Sequence, residues 1–509
     1  MANAINIPKT HLIVGLSLPL AVLLGYFVAE PMNLGSMAVV VFVLVVLAIP
    51  LMLRWYYPLL LLCWNAAIAP TFLPGQPRLW AMLAFIGLLF AVLGRAINRN
   101  ARFVIEPSVA KPLVVLTGVV VITGLLTNGI GFRMLSSGTY GGKHYFYFLA
   151  AVAGYFVFTS RRIPPERAGF YVAMYFLGGL TYVVSVFAGL SAGRYTYLWL
   201  LFPPANMARE GITSGPPGAF DSMLRLGQLA MAGGGLYVYL LARFGIRGVL
   251  DLTRPWRLLL LCLGLALGLM SGFRSFLVLL AMMFAILFFL EGLHRTRYLP
   301  ILLGVMLLGS AVVLPQADKL PLVVQRTLSF LPGKFDYLAR ASSAASTEWR
   351  VTMWKQVLPE VPKCLFRGRG WGIGARDFFA TVELTDRADM LAGTILVGNF
   401  HSGPLSLLIP FGLYGTIAFL WFLWAGLRVL HRNWKFGSPA LHRLNTLLLA
   451  AFAAQAVFFF FVFGSLETDI AGFVGLLGLS TALNGAGAAS VPVEPAAAGV
   501  EFETEYIKA

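Results

Sequence analysis

The chain is short of charge. Only 12% of its 509 residues are Asp, Glu, Lys or Arg, while 59% are hydrophobic, against about 25% charged and ~45–50% apolar in soluble globular domains. Half the usual charge cannot cover the surface of a soluble protein this long, which leaves a multi-span membrane protein. Acidic residues are the scarcer sign, 21 against 38 Lys and Arg, for a net charge of +17. In a soluble protein such an excess points to nucleic acid; here loop topology accounts for it, and no nucleic-acid partner is expected. Cysteine is nearly missing too. Cys63, Cys262 and Cys364 are too scattered for a disulfide framework or a metal site. Also absent are the long period-two alternation of an outer-membrane barrel and any fixed-period repeat. The first apolar run lacks a small-x-small cleavage pattern as well, since Val28-Ala29-Glu30 follows it, so an uncleaved first span is expected.

What recurs instead is apolar runs of roughly 17–23 residues, the helix length a bilayer requires. The predicted architecture is an all-α polytopic membrane domain over residues 1–484 with about fourteen spans, or twelve to fourteen. They are placed at 12–29, 36–53, 56–73, 79–95, 112–129, 143–160, 168–190, 223–242, 257–271, 273–291, 299–315, 402–427, 443–464 and 467–484. The third, around Cys63 and Asn65, carries prolines and could instead be re-entrant. Basic clusters around Arg54, Arg99, Arg162, Arg247, Arg297 and Arg432 occupy every second connection. The positive-inside rule then puts these loops and both termini in the cytoplasm. The tail 485–509 is Ala/Gly/Pro-rich and then acidic, as a disordered cytoplasmic segment would be. Two outward connections are long, from about Ser191 to Asp221 and over 316–401, the largest polar segment in the chain. A loop of that size without function would be unusual.

This topology filters the candidates for chemistry. Of six histidines, only His144 and His401 face outward. His401 stands just ahead of a span, where the helix dipole disfavours imidazolium, and a neutral imidazole can take a proton from a hydroxyl. Its plain alternative is a helix-capping or headgroup-facing histidine. Arg274 falls in the first turn of an outward-starting span, a place that suits phosphate or, more simply, a snorkelling arginine. Arg350 borders an apolar stripe of Trp349, Met353 and Val357 on a loop helix that Ser346 or Thr347 would N-cap; the stripe could lie on the membrane surface. Arg367 and Arg369 flank the glycines of Gly368 to Gly374, accessory phosphate contacts or parts of a structural turn. Glu360, Asp377, Glu383, Asp386 and Asp389 show no metal-ligand spacing, and Glu467 and Asp469 at the last outward turn would pair with a loop arginine. Neither a metal nor a cofactor is expected.

Taken in order, these motifs resemble the O-antigen ligase/polymerase family of bacterial inner-membrane glycosyltransferases. The family's Ser-Arg-Gly at a helix start is matched by Phe273-Arg274-Ser275, and its Arg-x-x-x-Trp by Arg350 and Trp354. Its Gly-x-Gly is matched within Gly368 to Gly374. Its His-Asn, Leu and Gly-Leu-x-Gly are matched by His401-Ser402, Leu405 and Gly412-Leu413-Tyr414-Gly415. The match covers residues 270–430; Ser275 and Ser402 depart from it, and fourteen spans exceed the family's usual dozen or so. The resemblance implies transfer of a glycan from an undecaprenyl-diphosphate carrier to an acceptor hydroxyl at the periplasmic face, metal-independent and inverting. His401 would be the general base, and Arg274 and Arg350 would hold the diphosphate. The acceptor would be another glycan, lipid A core or a protein hydroxyl, for O-antigen, lipopolysaccharide or exopolysaccharide synthesis. The alternative class is a lipid-linked glycan flippase or polysaccharide exporter, which moves the carrier-linked sugar without breaking its bond to diphosphate. Transporters commonly carry internal repeats around a midplane site, and here the candidates sit at the outer face.

Overall fold

The computed structural model describes residues 21–22, 25, 52–73, 75–97, 103–131, 139–191, 193–203, 207–211, 222–374 and 387–485. Most of the first two expected spans, nearly all of the tail 485–509, Arg99, and Asp377, Glu383 and Asp386 lie outside the described residues. The chain runs α1 (52–64), α2 (Leu79–Ile97), α3 (Pro107–Leu126), β1 (Thr139–Tyr140), α4 (Gly142–Phe158), α5 (Ala168–Leu177) and α6 (Tyr182–Leu190). Then come β2 (Met207–Gly211), β3 (Ser222–Leu226), α7 (Leu229–Val249), α8 (Trp256–Leu269), α9 (Arg274–Leu290) and α10 (Tyr298–Val313). The large loop holds α11 (Leu322–Leu328), α12 (Tyr337–Val357), α13 (Val361–Cys364), β4 (Ile373–Gly374) and α14 (Arg387–Val397). Three long helices close the chain: α15 (Gly403–Phe436), α16 (His442–Phe461) and α17 (Leu466–Asn484).

The protein is a helical membrane protein. Eight helices among the described residues are long and apolar enough to cross a bilayer, and the shorter apolar α8 and α9 meet at the Arg274 turn. Among the described residues sheet is limited to two small antiparallel pairs, β1 with β4 and β2 with β3, as expected of an all-α membrane protein. The third expected span is also revised. Its helix ends at residue 64, and the chain beyond is held by groups from other parts of the chain rather than by its own helix. Asn65 Nδ2 donates to the Tyr175 carbonyl at 2.8 Å, the Ala67 amide to Thr181 Oγ1 at 2.8 Å, and the Ala69 amide to the Leu201 carbonyl at 2.8 Å. Non-helical backbone at membrane depth is tolerated when protein satisfies it in this way. The span expected at 223–242 begins instead with strand β3, and its helix runs from Leu229 to Val249.

Contacts sort the helix ends into two groups. At one end the basic connections gather: Arg432 meets Glu106 at 2.5 Å, Arg443 donates to the Arg243 carbonyl, and Asn445 donates to Asn433 and Asn484. The large loop covers the other end. Its helices carry a small core of their own, in which Met353, Val357, Leu391 and Phe400 pack against Leu405 and Ile409 of α15. The stripe of Trp349, Met353 and Val357 therefore faces inward, where Met353 and Val357 are fully buried, and not onto a membrane surface. Its helix also starts earlier than expected. Asp336 is the N-cap, its carboxylate accepting from the Leu338 amide, which places Ser346 and Thr347 inside the helix.

Helix α15 is where loop and bundle are joined. Pro410 and Gly412 interrupt it, with Gly412 at φ +61° and ψ −156°, and the loop chain fills the break. Arg369 and Gly370 donate their amides to the carbonyls of Ile409 and Pro410 at 3.0 and 2.9 Å, and Leu413 donates to the Leu365 carbonyl at 2.7 Å. Breaking the helix thus leaves none of these groups stranded.

Candidate functional site

The turn before α9 puts the first candidate at a helix start. Phe273 is its extended N-cap and Arg274 its first residue. The Arg274 guanidinium turns toward α12, where Nη2 donates to the Ser343 carbonyl at 3.1 Å and to Thr347 Oγ1 at 3.0 Å. Arg350 sits one turn farther along that helix. Burial, and then the charges of Arg274 and Arg225, hold its pKa below the ordinary arginine value. Among the described residues, the charges acting on Arg350 are thus other arginines. Like charges held together are costly unless an anion is to be bound between them.

His401 completes the group. Its ring meets Trp349 edge-on at 5.3 Å and Phe463 at 5.1 Å, and the same Phe463 ring faces the Arg350 guanidinium at 5.9 Å. Trp349 and Arg350 are consecutive on α12, while Phe463 lies between α16 and α17, so three separate parts of the chain converge here. His401 adopts φ +49°, a left-handed conformation uncommon outside glycine and concentrated at functional sites. It is held from both sides. Trp354 Nε1 donates to the Phe400 carbonyl at 2.9 Å, and Ser402 is the extended N-cap of α15. Burial, and then the nearby Arg350 charge, drive the imidazole pKa down to about 4, so the ring is neutral at pH 7. The sequence reached neutrality through the helix dipole; burial is the larger cause. His401 Nδ1 is buried with no hydrogen-bond partner among the described residues. An orphaned nitrogen of that kind costs ~1–3 kcal/mol and calls for an explanation such as a catalytic role.

No protein-family model matches the chain, and no curated protein matches it significantly. Two guanidiniums lie together near a neutral imidazole, an arrangement whose chemistry suits an anion with a proton acceptor at its edge. The remaining candidates are used differently. Arg367 donates to the Leu126 carbonyl at 2.9 Å, and Arg369 donates to the Ile395 carbonyl at 2.9 Å and covers the Phe400 ring at 5.5 Å. Arg369 thereby supports the residue next to His401, and both side chains anchor the loop. His144 pairs with Glu467, where the sequence suggested an arginine partner for that carboxylate. Asp469 accepts from the Ser465 amide at 2.8 Å.

Sequence reading missed Arg225. It was counted inside an expected span, yet it stacks over the Phe273 ring at 4.7 Å, beside the Arg274 turn. The signal was present, because an arginine at the outward start of a span is the pattern that singled out Arg274.

Glycines fix how the loop meets α15. Gly368 has φ +70°, and a Cβ there would lie 2.3 Å from the Pro410 carbonyl oxygen; at Gly412 a Cβ would lie 2.5 Å from that of Leu365. Gly412→Ala should cost ~1–3 kcal/mol from backbone strain alone, with the clash in addition. The check is the melting temperature of the detergent-solubilised protein, which should fall by several degrees. An unchanged value would mean that the break in α15 does not hold the loop.

Proposed function

We propose that the protein is a glycosyltransferase of the bacterial inner membrane that moves a glycan from an undecaprenyl-diphosphate carrier to an acceptor hydroxyl. The observation that carries this reading is the convergence of Arg274 and Arg350 on a neutral His401 at the loop end of the bundle. In the proposed topology of about fourteen spans, the basic connections face the cytoplasm and the site opens to the periplasm. The acceptor hydroxyl attacks the anomeric carbon while its proton passes to His401. The bond from that carbon to the phosphate oxygen breaks, and the electron pair leaves with the diphosphate. Arg274 and Arg350 hold the diphosphate and stabilise the charge it gains. Attack opposite the leaving group inverts the anomeric centre.

The electrostatics also link donor to base. In the empty site the Arg350 charge weakens His401 as a base. A bound diphosphate offsets that charge, so the imidazole becomes more basic when there is something to transfer. Neutral His401 is the active form, so kcat/KM, which reports the free enzyme, should lose activity on the acid side only near pH 4. Arg350→Gln should move that limb upward toward the ordinary histidine value without reaching it, because burial remains. A pH–rate profile with the limb unmoved would separate Arg350 from His401.

The deciding experiment places purified protein in liposomes with carrier-linked oligosaccharide, and follows free undecaprenyl diphosphate and glycan length together. Release with a lengthening ladder identifies a polymerase. Release only after lipid A core or a protein acceptor is added identifies a ligase. Carrier-linked sugar that crosses the bilayer with its diphosphate bond intact would overturn the reading in favour of a flippase.

A further inference from the structure

Around the turn that begins α9, a third arginine comes from a different part of the chain. Strand β3 is one arm of a hairpin, and its register pairs Arg225 with Ala208. The hairpin is rooted on the bundle, since Leu226 and Leu229 pack with Val186 of α6. From that base the Arg225 guanidinium lies 4.7 Å above the ring of Phe273, the residue that caps the Arg274 helix. Its Nε is 3.3 Å from where a Cβ on Gly272 would stand, so it rests directly on the turn. Arg326 ties the same turn to the loop, donating to the Gly272 carbonyl and, at 2.8 Å, to Ser342 Oγ of α12. Hairpin, helix start and loop helix therefore meet at one point, each bringing an arginine toward the anion site. The charge of Arg225 is felt by Arg350 across it.

We propose that Arg225 is a third cationic arm of the diphosphate site, serving the charge that appears as the sugar leaves. This rests on the glycosyl-transfer reading above. In the donor each phosphate carries one ester and one anhydride bond and one ionised oxygen. When the anomeric bond breaks, its electron pair stays on the oxygen of the terminal phosphate, which keeps only its anhydride bond and carries about −1.5 to −2 charge near neutral pH, as a phosphate with one substituent does. Arg274 and Arg350 match the two charges of the bound donor. Arg225 adds a third cation to the two that stabilise the charge arriving during bond cleavage, and a group used chiefly in that way raises turnover rather than ground-state affinity.

The test compares Arg225→Gln, Arg225→Lys, Phe273→Leu and Arg274→Gln, purified and assayed side by side for donor turnover and for inhibition by inorganic diphosphate. Arg225→Gln should lower kcat by about tenfold to a hundredfold while the donor KM changes by less than about threefold. It should also weaken inhibition by inorganic diphosphate by about tenfold, and Arg225→Lys should recover part of both losses, because a point charge remains. Phe273→Leu separates charge from packing: it removes the ring beneath Arg225 and keeps the cation, so it should lose less turnover than Arg225→Gln at an equal or larger drop in melting temperature. If Arg225→Gln leaves diphosphate inhibition intact while Arg274→Gln weakens it, Arg225 is only scaffold for the turn and the proposal fails while the transfer reading stands. If inorganic diphosphate does not inhibit the wild type, both fail.

Discussion

His401→Asn should reduce glycan transfer by about a hundredfold to ten-thousandfold, the range a positioned general base contributes, while the protein still inserts and accumulates. Asparagine is the informative replacement because the backbone at this position is left-handed, with φ +49°, a conformation that asparagine tolerates. It removes the ring nitrogen that accepts the proton and keeps the chain path between Phe400 and Ser402. His401→Ala removes the same nitrogen with more backbone strain, so the two should be equally inactive and differ in melting temperature. Release of undecaprenyl diphosphate measures the first quantity, and thermal unfolding in detergent measures the second. Activity of either variant above about a tenth of wild type would remove His401 as the base.

Much of the plan was readable because bilayer burial writes long signals. Uninterrupted apolar runs marked α2, α3, α10, α16 and α17 to within about five residues, since every turn of a spanning helix must be apolar. The failures came where that constraint relaxes. Residues beyond 64 look like part of a span but are held by Tyr175, Thr181 and Leu201, partners that no local pattern can announce. The start of α12 was put too late because Ser346 and Thr347 suit an N-cap, whereas Asp336 supplies it. Both are sound capping residues, and the long polar helix between them carries little apolar periodicity to choose the site. Among site residues, Arg274 and His401 could be singled out from position, as an anion site and a neutral imidazole; a diphosphate role for Arg350 was implied only by the family resemblance. That Arg350 and His401 share the Phe463 ring, with Arg274 bonded to the helix of Arg350, is a tertiary fact. So is the position of Arg225, which an apolar-run criterion had absorbed into a helix.

Arg274→Lys is the second large effect, and it tests geometry rather than charge. The guanidinium is already fixed on α12, with Nη2 shared between the Ser343 carbonyl and Thr347 Oγ1. A guanidinium has five donors in a rigid fork, so that anchoring leaves others to meet two phosphate oxygens at once. Lysine keeps the positive charge but presents it as a point on a flexible stem, and cannot hold the anchor and the fork together. Losing an oriented donor to a developing oxyanion costs ~10²–10³ in turnover, so Arg274→Lys should fall toward that range and Arg274→Gln into it. Thr347→Val removes one of the two anchoring contacts and leaves the fork. It should therefore lower turnover less than Arg274→Lys, which loses both, and it separates orientation from charge. Turnover is read as undecaprenyl diphosphate released from liposomes under saturating donor. Full activity in Arg274→Lys would mean that a simple cation suffices there, as for an arginine that only anchors the helix at the interface, and the diphosphate would then have to be held chiefly from α12.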